Sequence, residues 1–199
     1  MANYLDEILD ELVSEPSNIT PETYQYYKGL KERRIILNEG ISSNIIETVI
    51  LPLQEMDNDG SGEPIEIIMF SSGGDMFSGF ALVDVIEKLK TPTTIRIMGL
   101  AASMACLIAM AHANNPNVRV VCSKYAVGLI HSGEISLGTQ SANAARDFME
   151  FNRRYDEIVK DYIITHTHIT EEIYNKIERQ EYWMTAQQML DLGIVSEIV

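Results

Sequence analysis

The stretch IEIIMFSSGGDMFSGFALVDVIEKLKTPTTIRIMG, residues 65 to 99, holds the pattern on which the rest of the chain is built. Ile65 to Phe70 form a β-branched, apolar run suited to a strand covered on both faces. SSGGD follows, and its two glycines permit the positive φ of a tight turn. Met76 to Lys90 then carries apolar residues at helical spacing, and Thr93 to Gly99 is a second β-branched run. Strand, glycine turn, helix, strand is a crossover, and a crossover joins parallel strands.

The same alternation extends in both directions. Upstream, RRIILNEG (33–40) reads as a strand, Ser42 to Gln54 as a helix and DNDGSGEP (57–64) as a loop. Thr20-Pro21-Glu22 is a helix start, predicted to run through Tyr27. Residues 4 to 13 form a short acidic amphipathic helix with Leu5, Ile8, Leu9, Leu12 and Val13 on one side, ended around Pro16.

Downstream, GLAASMACLIAMA (99–111) reads as a buried helix, and NVRVVC and AVGLIH as two more strands. A long helix lies within Gly138 to Thr165, shorter ones start at Thr170 and Thr185, and IVSEIV closes the chain as a strand. The prediction is an α/β fold with parallel crossovers.

Composition narrows the function classes. A net charge of −14, with the 15 basic residues gathered into no stripe, argues against a nucleic-acid surface. The N-terminus lacks the basic and long apolar regions of a secretory signal. The most hydrophobic run, Met98 to Ala111, is shorter than the ~20 residues of a spanning helix. No membrane association and a cytoplasmic location are expected. Cys106 and Cys122 read as buried free thiols.

Three places carry chemistry. Ser103 is the hydroxyl inside the apolar run, just after a strand, where a helix start offers N–H groups to an oxyanion; on its own it also reads as an N-cap. Gly73 and Gly74 occupy the equivalent turn one unit earlier and expose backbone N–H groups, or make a simple turn. Neither GxGxxG nor a P-loop lysine is present. His131 ends a strand-like run and is placed to act as a base, or is a polar terminus. His112, His166 and His168 lack the partners of a metal site, and no metal or cofactor is expected.

Taken together, LKERRIIL, MFSSGGD, GLAASMA, GLIHSGE and WMTAQQMLDLGIVSEI resemble the proteolytic subunits of the Clp protease family, over residues 24 to 199. The resemblance implies a crotonase-type stack of ββα units with a protruding helix–strand handle at about 132–168. It divides the chain into an acidic appendage (1–19) and a single peptidase domain (20–199).

The same resemblance implies a serine endopeptidase, with Ser103 as nucleophile, His131 as base, and Gly73, Gly74 and the Met104 N–H as oxyanion-hole positions. The family's acidic third member is an aspartate. Here the nearby carboxylates are Glu178 and Glu181, and Glu181, directly before Tyr182 and Trp183, is preferred. Asp75, Met76, Glu134 and Ile135 flank the expected peptide-binding strands, and the two acids disfavour acidic peptides.

Polypeptide substrates and a homo-oligomer of two stacked seven-membered rings are implied. An AAA+ unfoldase partner stays open, because MANYLDEILDELVSEPSN does not resemble the family's axial loops. The missing aspartate supports a second reading, a weak or inactive ring component that works structurally or beside an active paralogue. An acyl-CoA enzyme of the same fold is a third, for which no basic CoA-binding cluster is present.

Overall fold

The computed structural model describes residues 5, 7, 8, 10, 11, 14, 20–133, 139, 141–177 and 179–199. The described residues of the acidic N-terminal segment are helical, and Leu5 is buried. Thr20 caps the next helix by accepting from the Thr23 N–H at 3.2 Å, and Pro21 opens it. Helix α1 (Pro21–Lys31) outlasts the predicted stop at Tyr27, with Lys28 and Lys31 at its negative dipole end.

Strand β1 (Arg34–Leu37) leads to a π-helical turn (Ile46–Ile50) that merges into α2 (Leu51–Asn58). β2 (Ile65–Ser71), α3 (Met76–Ile86), β3 (Thr93–Ala102) and α4 (Met104–Met110) follow. β4 (Val118–Cys122) and β5 (Val127–Ile130) precede α5 (Ala142–His166) and α6 (Glu171–Ile177). β6 (Tyr182–Thr185), α7 (Ala186–Asp191) and β7 (Glu197–Ile198) end the chain. Among the described residues no helix is long and apolar enough to cross a membrane.

The strands β1-β2-β3-β4-β7 form a parallel sheet in that order. β3 belongs to a second arrangement as well. It pairs with β4 up to Ile97 and with β2 on both sides of a register-shifting bulge, resuming at Ser71–Ala101, while Leu100 to Ala102 pair with β5. Gly99, at φ 87, sits in that bulge against the Phe70 ring. β6 then adds to β5 in the antiparallel sense. This is the stacked crotonase-type arrangement, with α5 as the helical part of the handle; residues 134–138, where its strand is expected, lie outside the described residues.

Two expectations change. Residues 99 to 102 belong to β3 and not to the helix, because Leu100 to Ala102 are held in the ladder with β5. β2 buries one face only. Ile65, Ile67 and Met69 point into the core, while Glu66 on the other face bridges Arg34 and Arg96 on the flanking strands, each at 2.9 Å.

One buried polar side chain locks a crossover. Asn115, 4% exposed, donates from Nδ2 to Ile86 O (2.8 Å) and Leu89 O (2.9 Å) at the end of α3 and accepts from the Asn117 N–H at 3.0 Å before β4. Asn115→Ala removes these bonds, leaving Ile86 O with the Leu89 N–H (3.3 Å) and Leu89 O with the Asn117 side-chain amide (3.1 Å). It is expected to lower stability by about 2–3 kcal/mol. The readout is the urea midpoint of the assembled protein, and an unchanged midpoint would show that water replaces the clamp.

Candidate active site

The site begins with a backbone conformation. Ser103 joins β3 to α4 at φ 54 and ψ −126, a region that side-chain-bearing residues rarely enter. Its N–H donates to Leu129 O at 2.8 Å. Every residue of α4 is buried, so the helix fixes the turn from below. The N-cap reading of Ser103 is overturned, since its side chain makes no capping bond. The hydroxyl lies 3.0 Å from His131 Nε2 instead.

Register explains why these two side chains meet. Ala102 is paired with Leu129 in the β3–β5 ladder. Ser103 therefore leaves the sheet one residue past the pair and His131 two residues past it, at the same carboxyl edge. A serine hydroxyl within hydrogen-bond reach of an imidazole nitrogen is the geometry of an activated nucleophile.

The glycine turn packs directly against Ser103. A Cβ on Gly73, whose φ is 87, would come within 2.5 Å of Ala102 O, 2.7 Å of Ser103 Cβ and 2.8 Å of the Met104 nitrogen. Gly73 N–H donates to Ser71 Oγ at 3.2 Å. The residue thus contributes space beside the Met104 amide. Gly74, at φ 150, lies against Ile41, which accepts from Asp75 N–H at 2.7 Å and donates to Gly73 O at 2.9 Å. That β-bridge pins the turn to the segment following β1.

The remaining expected residues are distributed unevenly. Ile130 pairs with Tyr182 in the antiparallel β5–β6 ladder, so the next position in that register sets Glu181 across from His131. The Glu181 carboxylate, however, accepts from Trp183 Nε1 at 3.0 Å. Glu178, Glu134 and Ile135 lie outside the described residues. Asp75 caps α3 by accepting from Ser78 N–H (2.8 Å) and Ser78 Oγ (2.6 Å).

Other candidates fall away from this edge. His166 is buried at the end of α5 with Nε2 2.9 Å from Glu87, and together with His112 and His168 it borders a separate recess. Among the described residues no group of three His, Cys, Asp or Glu is arranged to hold a metal ion. Cys106 is fully buried in α4, where desolvation pushes its thiol up to about 12. It offers no second nucleophile near neutral pH.

Ser103 and His131 open into a cavity of about 700 Å³. Its rim includes Gly73, Gly74, Asp75 and Met76, and its far wall is the inner side of α5. Sequence reasoning did not identify that wall. The signal was the helical repeat Phe148, Asn152, Asp156, Val159 and Ile163, which puts one side of α5 along the cavity.

Residues 18–199 match the family model described as Clp protease. The ATP-dependent Clp protease proteolytic subunit of Streptococcus sanguinis is 28% identical over 191 residues, covering 94% of this chain and 95% of the relative. That of Lactococcus lactis subsp. lactis is 27% identical over 193 residues, with 94% of each chain covered. Proteolytic subunit 2 of Treponema pallidum is 26% identical over 178 residues, covering 89% and 87%.

The close packing at the turn makes a direct prediction. Gly73→Ala forces Ser103 and the Met104 amide to move. The reaction of Ser103 with a fluorophosphonate should slow by about 10²-fold or more, because a displacement near 1 Å costs that much. Intact-mass kinetics on the folded variant measure it, and labelling at the wild-type rate would show that the turn has no part in the site.

Proposed function

The chain belongs to the Clp protease family, and from that premise we propose that it is a serine endopeptidase acting on peptides or unfolded polypeptides. The observation that carries this reading is the 3.0 Å contact between Ser103 Oγ and His131 Nε2 at the mouth of the cavity. Ser103 Oγ attacks the peptide carbonyl carbon while its proton passes to His131 Nε2. The C–O bond to Ser103 forms and the carbonyl π electrons move onto oxygen.

That oxyanion is received by two backbone donors. One is the Met104 N–H at the start of α4. Since Gly73 N–H is given to Ser71, Gly74 N–H is the second. Collapse of the intermediate expels the amine, which takes the proton from His131 and leaves an acyl-Ser103 ester. Water, deprotonated by the same imidazole, then releases the acid.

Glu181 serves as the third member. It faces His131 by register, and in this reading its carboxylate exchanges the Trp183 indole for the Nδ1–H of the ring. A glutamate in this role fixes the tautomer as an aspartate does. Its present bond to Trp183 favours the second reading, a weak or inactive ring subunit that works structurally or with an active paralogue.

The assembly reading is a homo-oligomer of two stacked heptameric rings with the sites inside. Phe70 and Met98 leave the chain's outer surface half exposed, and Met149, Phe151 and Ile158 do the same on α5, as surfaces covered by neighbouring copies would. The relatives' names describe them as ATP-dependent. An AAA+ ATPase that delivers unfolded chains is the corresponding partner, in a cytoplasmic setting.

Incubation with a fluorophosphonate followed by intact-mass spectrometry tests the mechanism. Wild type should gain one adduct with loss of fluoride, and Ser103→Ala none. Glu181→Gln should react about 10²-fold more slowly. If correctly assembled wild type takes no adduct, the inactive-ring reading replaces this one.

A further inference from the structure

We propose that Trp183 is a positioning residue for the catalytic pair: its indole competes with His131 for the Glu181 carboxylate and so sets how fast Ser103 reacts. The inference rests on the serine endopeptidase reading, with Glu181 as third member, and deepens it.

The competition is built into the β5–β6 ladder. Leu129 stands opposite Trp183 and Ile130 opposite Tyr182 in the antiparallel sense. Residues opposite one another in such a ladder share a face, as do residues two apart on one strand. Carried one position beyond Ile130 and Tyr182, the register sets Leu129 and His131 on the same face as Trp183 and Glu181. One short carboxylate is thus placed between two N–H donors. The indole lies two residues along its own strand, and the imidazole lies across the ladder.

The indole holds it in this structure. Trp183 Nε1 donates to Glu181 Oε2 at 3.0 Å. Among the described residues, the bond that His131 makes is the 3.0 Å contact of Nε2 with Ser103 Oγ. For Nε2 to take the serine proton, Nδ1 must carry the ring's own, and Nδ1–H is the donor that Glu181 would serve.

Charge decides which donor wins. When the Ser103 proton reaches the ring, His131 becomes an imidazolium, and a carboxylate gains more from a cation than from a neutral indole. Glu181 therefore crosses to His131 as the transition state forms, and the indole bond is given up on the way. Trp183 is 53% exposed, so that bond lies where water can replace it and its loss is modest. The bond slows the chemical step and leaves the fold untouched.

The test uses the full-length assembled protein and the rate of fluorophosphonate labelling, followed by intact mass. Trp183→Phe keeps a ring and removes the N–H, and should label about fivefold faster than wild type, the value of one modest hydrogen bond. Glu181→Gln should label slowly, and adding Trp183→Phe to it should bring no gain, since no carboxylate is left to release. Trp183 is the single tryptophan of the chain, so its emission reports the indole alone. Labelling should move the wild-type emission toward that of unlabelled Glu181→Gln and leave the emission of Glu181→Gln in place.

Trp183→Phe labelling no faster than wild type while Glu181→Gln is slow, or a wild-type emission unmoved by labelling, overturns the role of Trp183 and leaves the peptidase reading intact. Glu181→Gln labelling at the wild-type rate overturns the roles of Glu181 and Trp183 together and leaves the Ser103–His131 pair. A wild-type preparation that does not label overturns the peptidase reading and this inference with it.

Discussion

Ser103 is held at a backbone conformation that a serine adopts only under compulsion, and the architecture around it supplies that compulsion. A non-glycine residue in such a region costs about 1–3 kcal/mol. The cost is offset locally by the Ser103 N–H bond to Leu129 O and by α4, whose seven residues are all buried. It also requires a neighbour without a Cβ, and Gly73 fills that position. The reward is a hydroxyl aimed out of the sheet at His131 and not back into its own helix, at the carboxyl edge where α/β folds collect their chemistry.

The partner change of β3 follows from the same constraint. Ser103 and His131 meet only if the strand before one pairs with the strand before the other, which requires β3 to leave β4 and join β5. Gly99, at a positive φ, makes that slip possible. The far wall of the cavity is tied to the same frame. Tyr162 of α5 donates to Leu107 O of α4 at 3.0 Å and packs edge-on against Phe80 of α3. Nucleophile helix, glycine-turn helix and cavity wall are thereby joined by one buried tyrosine.

Much of this was legible in the sequence, and the gaps have physical causes. β-Branched runs such as IEIIMF and TTIRIMG declared their strands, and Thr20-Pro21 its helix start, because those signals are local. The small residues of GLAA are compatible with helix and strand alike, so only tertiary pairing with β5 decides them. β6 was hidden for the same reason: Tyr182 to Thr185 is short and exists as a strand because β5 offers an edge. Ser103, His131 and Gly73 were singled out as residues, but that the missing Cβ of Gly73 makes room for Ser103 and the Met104 amide shows only in the packing. The α5 wall was missed because its repeat places polar Asn152 and Asp156 among Phe148, Val159 and Ile163, which reads as an ordinary solvated helix until the cavity is seen.

The most direct test of the account is cleavage of an unstructured polypeptide by the assembled protein, with fragments identified by mass spectrometry and Ser103→Ala as the paired control. The account predicts short peptides from wild type and none from the variant. Equal fragment yields from both would contradict it, since peptide-bond cleavage would then proceed without the one hydroxyl that the fold strains itself to present.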